Sequence, residues 1–410
     1  MRSRSAHAAI KGYFYQFDHT IIRLLSATNS EAVVIVEGIE DVDLTDGNDE
    51  ILVQCKYYEG TEYNHSAIKE AIIQMVRHFH ANGSRGSKVQ KYRIYGHYNG
   101  GHEKLPKPID VEFIKKHFLT FTKEGVVTQV HVDLNMDDTS LKKFLDRFEV
   151  NVSGKSYDEQ REEVEKLLIS HIKDSDKEDV RIFFYPLATD RVRLLAIGRR
   201  ESDRSITKRN FIEAVNKKDL VFDLWLRRKF GDEYYERSIK RRYFSWKATK
   251  VPKKSRLFLI DLTGEFLIEK VTALIADIGR KLSHVEHRTT PAQDRFCPYI
   301  YLRGLTEDNL IELKGSLVRS GIKISDGYGY KGAPFSPDSL TALPTKEQLT
   351  QVKFIESPED ICPVISLIRN TQIEVFDFFK ESPHDRKFVP HDVVYNTIKI
   401  ESAFTIQKVI

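Results

Sequence analysis

Between Ala6 and Leu25, apolar residues recur three and four positions apart, at Ala9, Ile10, Tyr13, Phe17, Ile21, Leu24 and Leu25, and this spacing predicts an amphipathic helix with Tyr13, Tyr15 and Phe17 in the core. Ala32 to Glu37 is short and β-branched, Thr45 to Asp49 has turn composition, and Ile51 to Tyr57 is again apolar and alternating, so the three segments read as a β-hairpin. Helical spacing returns from His65 to His80 through Ile68, Ile72, Met75, Val76 and Phe79, and Tyr92 to Tyr98 reads as a strand. The predicted order is α-β-β-α-β, with a further strand near Thr128 to Leu134.

Beyond Thr139 the pattern is mostly helical, with elements expected at Ser140 to Phe148, Asp158 to Lys173 and Lys208 to Arg228. Lys247 to Ser255 is basic and contains Pro252, the composition of a linker. After it, strands at Arg256 to Leu262, Pro298 to Arg303 and Ile322 to Ser325 alternate with helices at Phe266 to Leu282 and Glu307 to Ser320, which predicts a small α/β domain with some parallel pairing. The expected division is therefore residues 1–138, a helical basic middle at 139–250, and an α/β domain of unassigned role at 251–410.

The strand Ile51 to Tyr57 adds chemistry to this outline. Alternation puts Ile51, Val53, Cys55 and Tyr57 on one face and Leu52, Gln54 and Lys56 on the other, so an amide oxygen and an ammonium project together. The preceding segment, Glu40 to Asp43, offers carboxylates. Asp41 and Asp43 share a face if the strand runs through them, with Glu37 on the same parity and Glu40 pointing away. Carboxylate and amide oxygens suit a hard divalent cation such as magnesium. Phosphodiester hydrolysis uses such an ion to activate water and to stabilise the charge that develops at phosphorus.

Asp41 followed by Gln54-x-Lys56 resembles the PD-(D/E)xK restriction-endonuclease-like superfamily, in the variant where Gln replaces the acidic residue. Together with Gly12 to Gln16, Val36 to Asp43 and Val53 to Tyr57, the pattern resembles the double-stranded-DNA nuclease domain of bacterial anti-phage effectors, those of the CBASS endonuclease type and those that pair with a HerA-type ATPase. The resemblance covers only the first 100 to 150 residues. It implies a restriction-endonuclease-like N-terminal domain in an α/β chain, with Asp41, Gln54 and Asp43 as ligands of Mg2+ or Mn2+, Lys56 as the catalytic lysine and Gln16 as the polar helix residue facing the site. It further implies double-stranded DNA as substrate, and control by homo-oligomerisation or by a HerA-like ATPase partner. Two rival readings are a silent nuclease fold that only holds DNA, and an RNA nuclease.

Composition narrows the remaining choices. A net charge of +4 in 410 residues permits nucleic-acid binding without demanding it. Positive charge concentrates between Trp225 and Arg256, where Arg227, Arg228, Lys240, Arg241, Arg242 and Lys247 are candidate phosphate contacts, interleaved with Tyr234, Tyr235, Tyr243, Phe244 and Trp246. Cys55, Cys297 and Cys362 form no CxxC pair, which argues against a zinc site and for a reducing cytoplasm. No apolar run is long enough to span a membrane, and the basic N-terminus lacks the apolar stretch of a secretory signal. Gly327 to Gly332 lacks the order of a phosphate loop.

Overall fold

The computed structural model describes residues 6–82, 88–123, 126–245, 254–283, 295–330, 332–345, 349–368, 372–390 and 393–410. The chain forms two compact units, Met1–Lys217 and Lys218–Ile410.

The first unit opens with helix α1 (His7–Ser26), in which Tyr15, Phe17, Ile21, Ile22, Leu24 and Leu25 are buried. Tyr13, expected in the core, is 59% exposed. Periodicity identifies the face of a helix but not how far along it the core extends, and here burial begins only at Tyr15. Strands β1 (Val33–Val36), β2 (Val42–Asp46) and β3 (Asp49–Tyr58) form an antiparallel meander. The predicted hairpin thus gains a strand, β2, whose polar Asp43, Thr45 and Asp46 conceal it in the sequence.

Helix α2 (Ser66–Asn82) then crosses over to β4 (Val89–Tyr98), which pairs in parallel with β3. Such pairing requires a long crossover of this kind. The strand expected at Thr128 to Leu134 is shorter and lies elsewhere: β5 (Thr120–Lys123) and β6 (Val126–Gln129) form a separate hairpin, and residues 130–133 turn helical. The main sheet is completed by β7 (Phe148–Asn151), parallel to β4, and β8 (Ser205–Thr207), antiparallel to β1, giving six strands in the order β7-β4-β3-β2-β1-β8.

That closure corrects the boundary placed at residue 138. Helices α3 (Tyr157–His171), α4 (Tyr185–Ala196) and α5 (Lys208–Val215) put Val164, Leu168, Val192 and Phe211 into the same cluster as Phe17, Val34 and Val53. The middle helices are the cover of the first sheet, not a region apart. The helix expected over Lys208 to Arg228 breaks at Asn216 and Lys217, where the unit ends. On the other face Leu52, Tyr92 and Ile94 pack with Ile72, Met75 and Val76 of α2, so the two faces of β3 separate as strand parity predicts.

In the second unit, helices α6 (Lys218–Phe230) and α7 (Asp232–Tyr243) precede a six-stranded sheet. Its strands are β9 (Lys254–Asp261), β10 (Tyr299–Arg303), β11 (Ile324–Ser325), β12 (Val352–Ile355), β13 (Gln372–Phe379) and β14 (Val394–Lys399), in the order β11-β12-β10-β9-β13-β14. All its pairings are parallel. Phe258 and Ile260 face one core with α8 (Ile268–Leu282), while Leu257 and Leu259 face a second, so both faces are covered, as a parallel sheet requires. Among the described residues no helix is long and apolar enough to cross a membrane.

Two predictions follow from the first unit. A fragment comprising residues 1–217 keeps a cooperative thermal transition, whereas one ending at residue 138 loses it because β7, β8 and their covering helices are gone; circular dichroism of both fragments decides. Asp18 of α1 is fully buried and accepts hydrogen bonds from the Tyr185 hydroxyl at 3.0 and 3.2 Å. Burial pushes its carboxyl up to about 7, against the lowering pull of Tyr185 and Arg161. The folded state therefore holds a proton that the unfolded chain releases near 3.8, so this contribution to stability is complete below that pH and fades as pH rises towards 7. Asp18→Asn should gain stability relative to the parent as pH rises from about 4 to about 7; a constant difference in urea unfolding across that range refutes the assignment.

Candidate active site

The site is built on the turn that joins β1 to β2. Glu37 adopts a left-handed conformation (φ 54°), its amide donates to the Asp41 carbonyl at 3.0 Å, and its carboxylate accepts from Gln16 Nε2 of α1 at 2.6 Å. A non-glycine residue held in that region is uncommon and is kept there by its surroundings. Asp43 ties the same turn from inside: its carboxylate accepts from the amides of Ile39 at 2.5 Å and Glu40 at 3.1 Å. Gly38 is required, because a Cβ there would lie 2.1 Å from Asp43 Oδ2.

Asp41 emerges from this turn just before β2 begins. Its Oδ2 accepts from the Cys55 amide at 2.8 Å and from Gln54 Nε2. Asp41 and Gln54 are therefore in direct contact, and Lys56 stands two residues further along β3 on the Gln54 face. Lys56 lies in register with Gly96 of β4, where a Cβ would come within 3.3 Å of the Lys56 Cβ. Gly96 leaves room beside the lysine. Sequence reasoning missed it, although a glycine interrupting a strand signals a close approach.

The electrostatics point to a cation. Burial raises the Asp41 carboxyl, Glu37 raises it further, and the Cys55 amide, Lys56 and Gln54 oppose that rise. Glu40 is pushed up to about 8 by burial and then by Asp41 and Asp43, with Lys56 opposing. Glu40, expected to point away, thus shares the field of Asp41 and Lys56, while Asp43 is occupied by turn amides instead of standing beside Asp41. Parity failed here because it holds only within a strand, and β2 starts at Val42. Among the described residues no three His, Cys, Asp or Glu side chains form a ready metal cage. Magnesium commonly takes one or two carboxylates and keeps several waters. Asp41 and Gln54, in direct contact, are the oxygen donors that would hold such an ion here.

The basic segment divides. Arg227 pairs with Asp232 and, at 2.6 Å, with Glu401; Arg242 approaches buried Asp223 at 3.3 Å; Lys240 Nζ donates to the Ile410 carbonyl at 3.4 Å. Arg228 and Arg241 are exposed, and Lys247 lies outside the described residues. Gly231 (φ 84°) divides this basic segment between α6 and α7, and Arg227 and Arg242 are committed to internal ion pairs.

The second unit has its own polar cluster at the carboxyl ends of its central strands. Buried Asp261 accepts from Arg303 and from the amides of Thr263 at 3.0 Å and Lys380 at 3.3 Å. Nearby, Asp377 accepts from His384 Nδ1 at 2.6 Å and from the Tyr395 hydroxyl.

No family model matches the chain, and no curated protein matches it. Among solved structures, it is similar to the Acinetobacter baumannii Cap4 SAVED/CARF-domain containing receptor with the cyclic trinucleotide 2'3'3'-cAAA, at a TM-score of 0.33 and 11% identity over 97% of this chain and 92% of that one. The same receptor with 3'3'3'-cAAA gives 0.32 and 12% over 97% and 93%. The receptor described without a ligand gives 0.29 and 8% over 75% and 93%. Likeness at this level fixes no correspondence between residues.

The different tasks of Asp41 and Asp43 are testable. Asp43→Ala removes two charge-assisted bonds to turn amides and should cost about 2–4 kcal/mol of stability. Asp41→Ala also relieves carboxylate crowding and should cost clearly less. Equal losses in urea unfolding would remove the distinction.

Proposed function

We propose that the first unit is a metal-dependent DNA endonuclease of the PD-(D/E)xK type, acting in bacterial anti-phage defence. The observation that carries this reading is the contact of the Asp41 carboxylate with Gln54, with Lys56 on the same face of β3. Asp41 and Gln54, through its amide oxygen, would hold Mg2+ or Mn2+, and Glu40 would add a second carboxylate. Bound there, the ion supplies Lewis-acid stabilisation of the phosphoryl oxygens and a more acidic water. Lys56 places a positive charge where negative charge builds on the scissile phosphate and orients the attacking water. Burial and the neighbouring Asp41 and Asp43 push the Glu40 carboxyl up to about 8, and a cation held at the site would oppose that rise. Gln16 steadies Glu37 and with it the turn that presents Asp41.

Double-stranded DNA is the proposed substrate, and control by self-assembly or by a HerA-like ATPase belongs to the same reading. Both rest on the resemblance of the N-terminal motifs. The second reading is a silent nuclease fold that holds DNA without cutting it.

Plasmid cleavage separates the two. With Mg2+ or Mn2+ the parent should nick or linearise supercoiled DNA. Lys56→Ala should lower the rate by about a hundredfold or more while leaving retention in a gel shift unchanged. A parent that never cuts, with either ion and with or without the ATPase, leaves the scaffold. Preferential cutting of RNA in competition moves the substrate to RNA.

A further inference from the structure

On the face of β3 opposite Gln54 and Lys56, the first unit contains a cavity of about 460 Å³. Val53, Arg93 and Glu149 lie side by side in its floor, in register across β3, β4 and β7. Helices α1 and α3 wall it through His19, Arg23 and Gln160. Its size is within the range of small-molecule sites.

Its charges are arranged unusually. Arg23 makes no hydrogen bond or ion pair with the described residues, and its Nε is buried without a partner. Arg93 projects into the same space, and its only ion pair among the described residues is with Glu149 at 3.0 Å, a side chain that is itself 65% exposed. Burial, and then the neighbouring Arg93 charge, weaken the hold of Arg23 on its proton, with Glu149 opposing. Two guanidiniums thus converge on one partly enclosed volume; of the two carboxylates that line it, Glu149 is mostly solvated and Glu163 is paired with Lys155, so the cations outnumber the anions. The remaining wall carries Lys155 and Glu163, paired with each other at 2.8 Å, and a neutral histidine. His19 stacks on Tyr95 at 4.2 Å, its Nδ1 is bonded to Gln160 Oε1 at 3.1 Å, and burial pushes it down to about 3, so it adds no charge at neutral pH.

A confined guanidinium without a partner is costly, and planar guanidinium groups favour oxyanions, which they grip through paired N–H donors. A tetrahedral dianion can engage two such groups from different directions, which a flat carboxylate does less well. We propose that this cavity is a binding site for a phosphate monoester, with Arg23 as its principal ligand and Arg93 as the second. The site lies apart from Asp41, Gln54 and Lys56 and does not depend on the nuclease reading. Two sources share the chemistry: a free mononucleotide and the 5′-phosphate of a DNA end.

Calorimetric titration of the full chain at fixed ionic strength tests the proposal with inorganic phosphate, 5′-dAMP, deoxyadenosine, and a short duplex with or without 5′-phosphates. Phosphate and at least one of the phosphomonoesters should bind saturably, and deoxyadenosine should not. Arg23→Gln should weaken binding about tenfold or more. Glu149→Gln, which removes the competing carboxylate, should tighten it and decides the matter should Arg23→Gln fail to fold. Binding by the 5′-phosphorylated duplex but not by 5′-dAMP assigns the source to DNA ends; the converse assigns it to free nucleotide. Absence of saturable phosphate binding, or affinity indifferent to both substitutions, overturns the proposal.

Discussion

The hydrogen bond from the Cys55 amide to the Asp41 carboxylate is the constraint on which the first unit's chemistry depends. It fastens the β1–β2 turn to the middle of β3 and settles where a carboxylate stands relative to Gln54 and Lys56. Everything else at the site serves that placement. Asp43 knots the turn from inside, Gln16 steadies it from α1 through Glu37, and Gly38 lets the backbone pass. A charge-assisted bond of this kind contributes about 1.5–3 kcal/mol. Its opponents are burial and the mutual repulsion of Glu37, Glu40 and Asp41, which Lys56 offsets. The turn is consequently held in place by hydrogen bonds against the electrostatic cost of its own carboxylates.

Parity made β3 legible. Alternation along seven residues separates Cys55 from Gln54 and Lys56, and the two hydrophobic clusters lie on the two faces so defined. The turn was not legible in the same way. The Asp43 carboxylate is bonded to the amides of Ile39 and Glu40 because the backbone between Glu37 and Asp41 is folded back by hydrogen bonds, which no periodicity encodes. The helices beyond residue 139 were readable as helices, but not as the cover of a sheet that begins at Val33. The three residues of β8 carry too little pattern to announce a strand. Charge is subject to the same limit. Composition revealed a basic segment, while the partner of Arg227 is Glu401, far along the chain.

The two faces of β3 carry different work. Gln54 and Lys56 lie on the proposed catalytic face, while Val53 floors a cavity in which the buried Nε of Arg23 has no partner among the described residues. One strand therefore borders an acidic excess on one side and a basic excess on the other. In the second unit the central strand β9 is apolar on both faces from Leu257 to Ile260, and Asp261 follows at the carboxyl end among Arg303, Thr263 and Lys380.

The pairing of β1 with β8 also bears on how the chain is made. Val33 leaves the ribosome early and its partner Thr207 comes almost at the end of the unit. Until then the β1 edge exposes unpaired amides and carbonyls beside an apolar run from Val33 to Val36, the kind of edge that recruits other strands. A growing chain stalled before residue 205 is thus the form most exposed to intermolecular pairing. Closing that edge waits on residues 205–207, of which Ile206 alone enters the core.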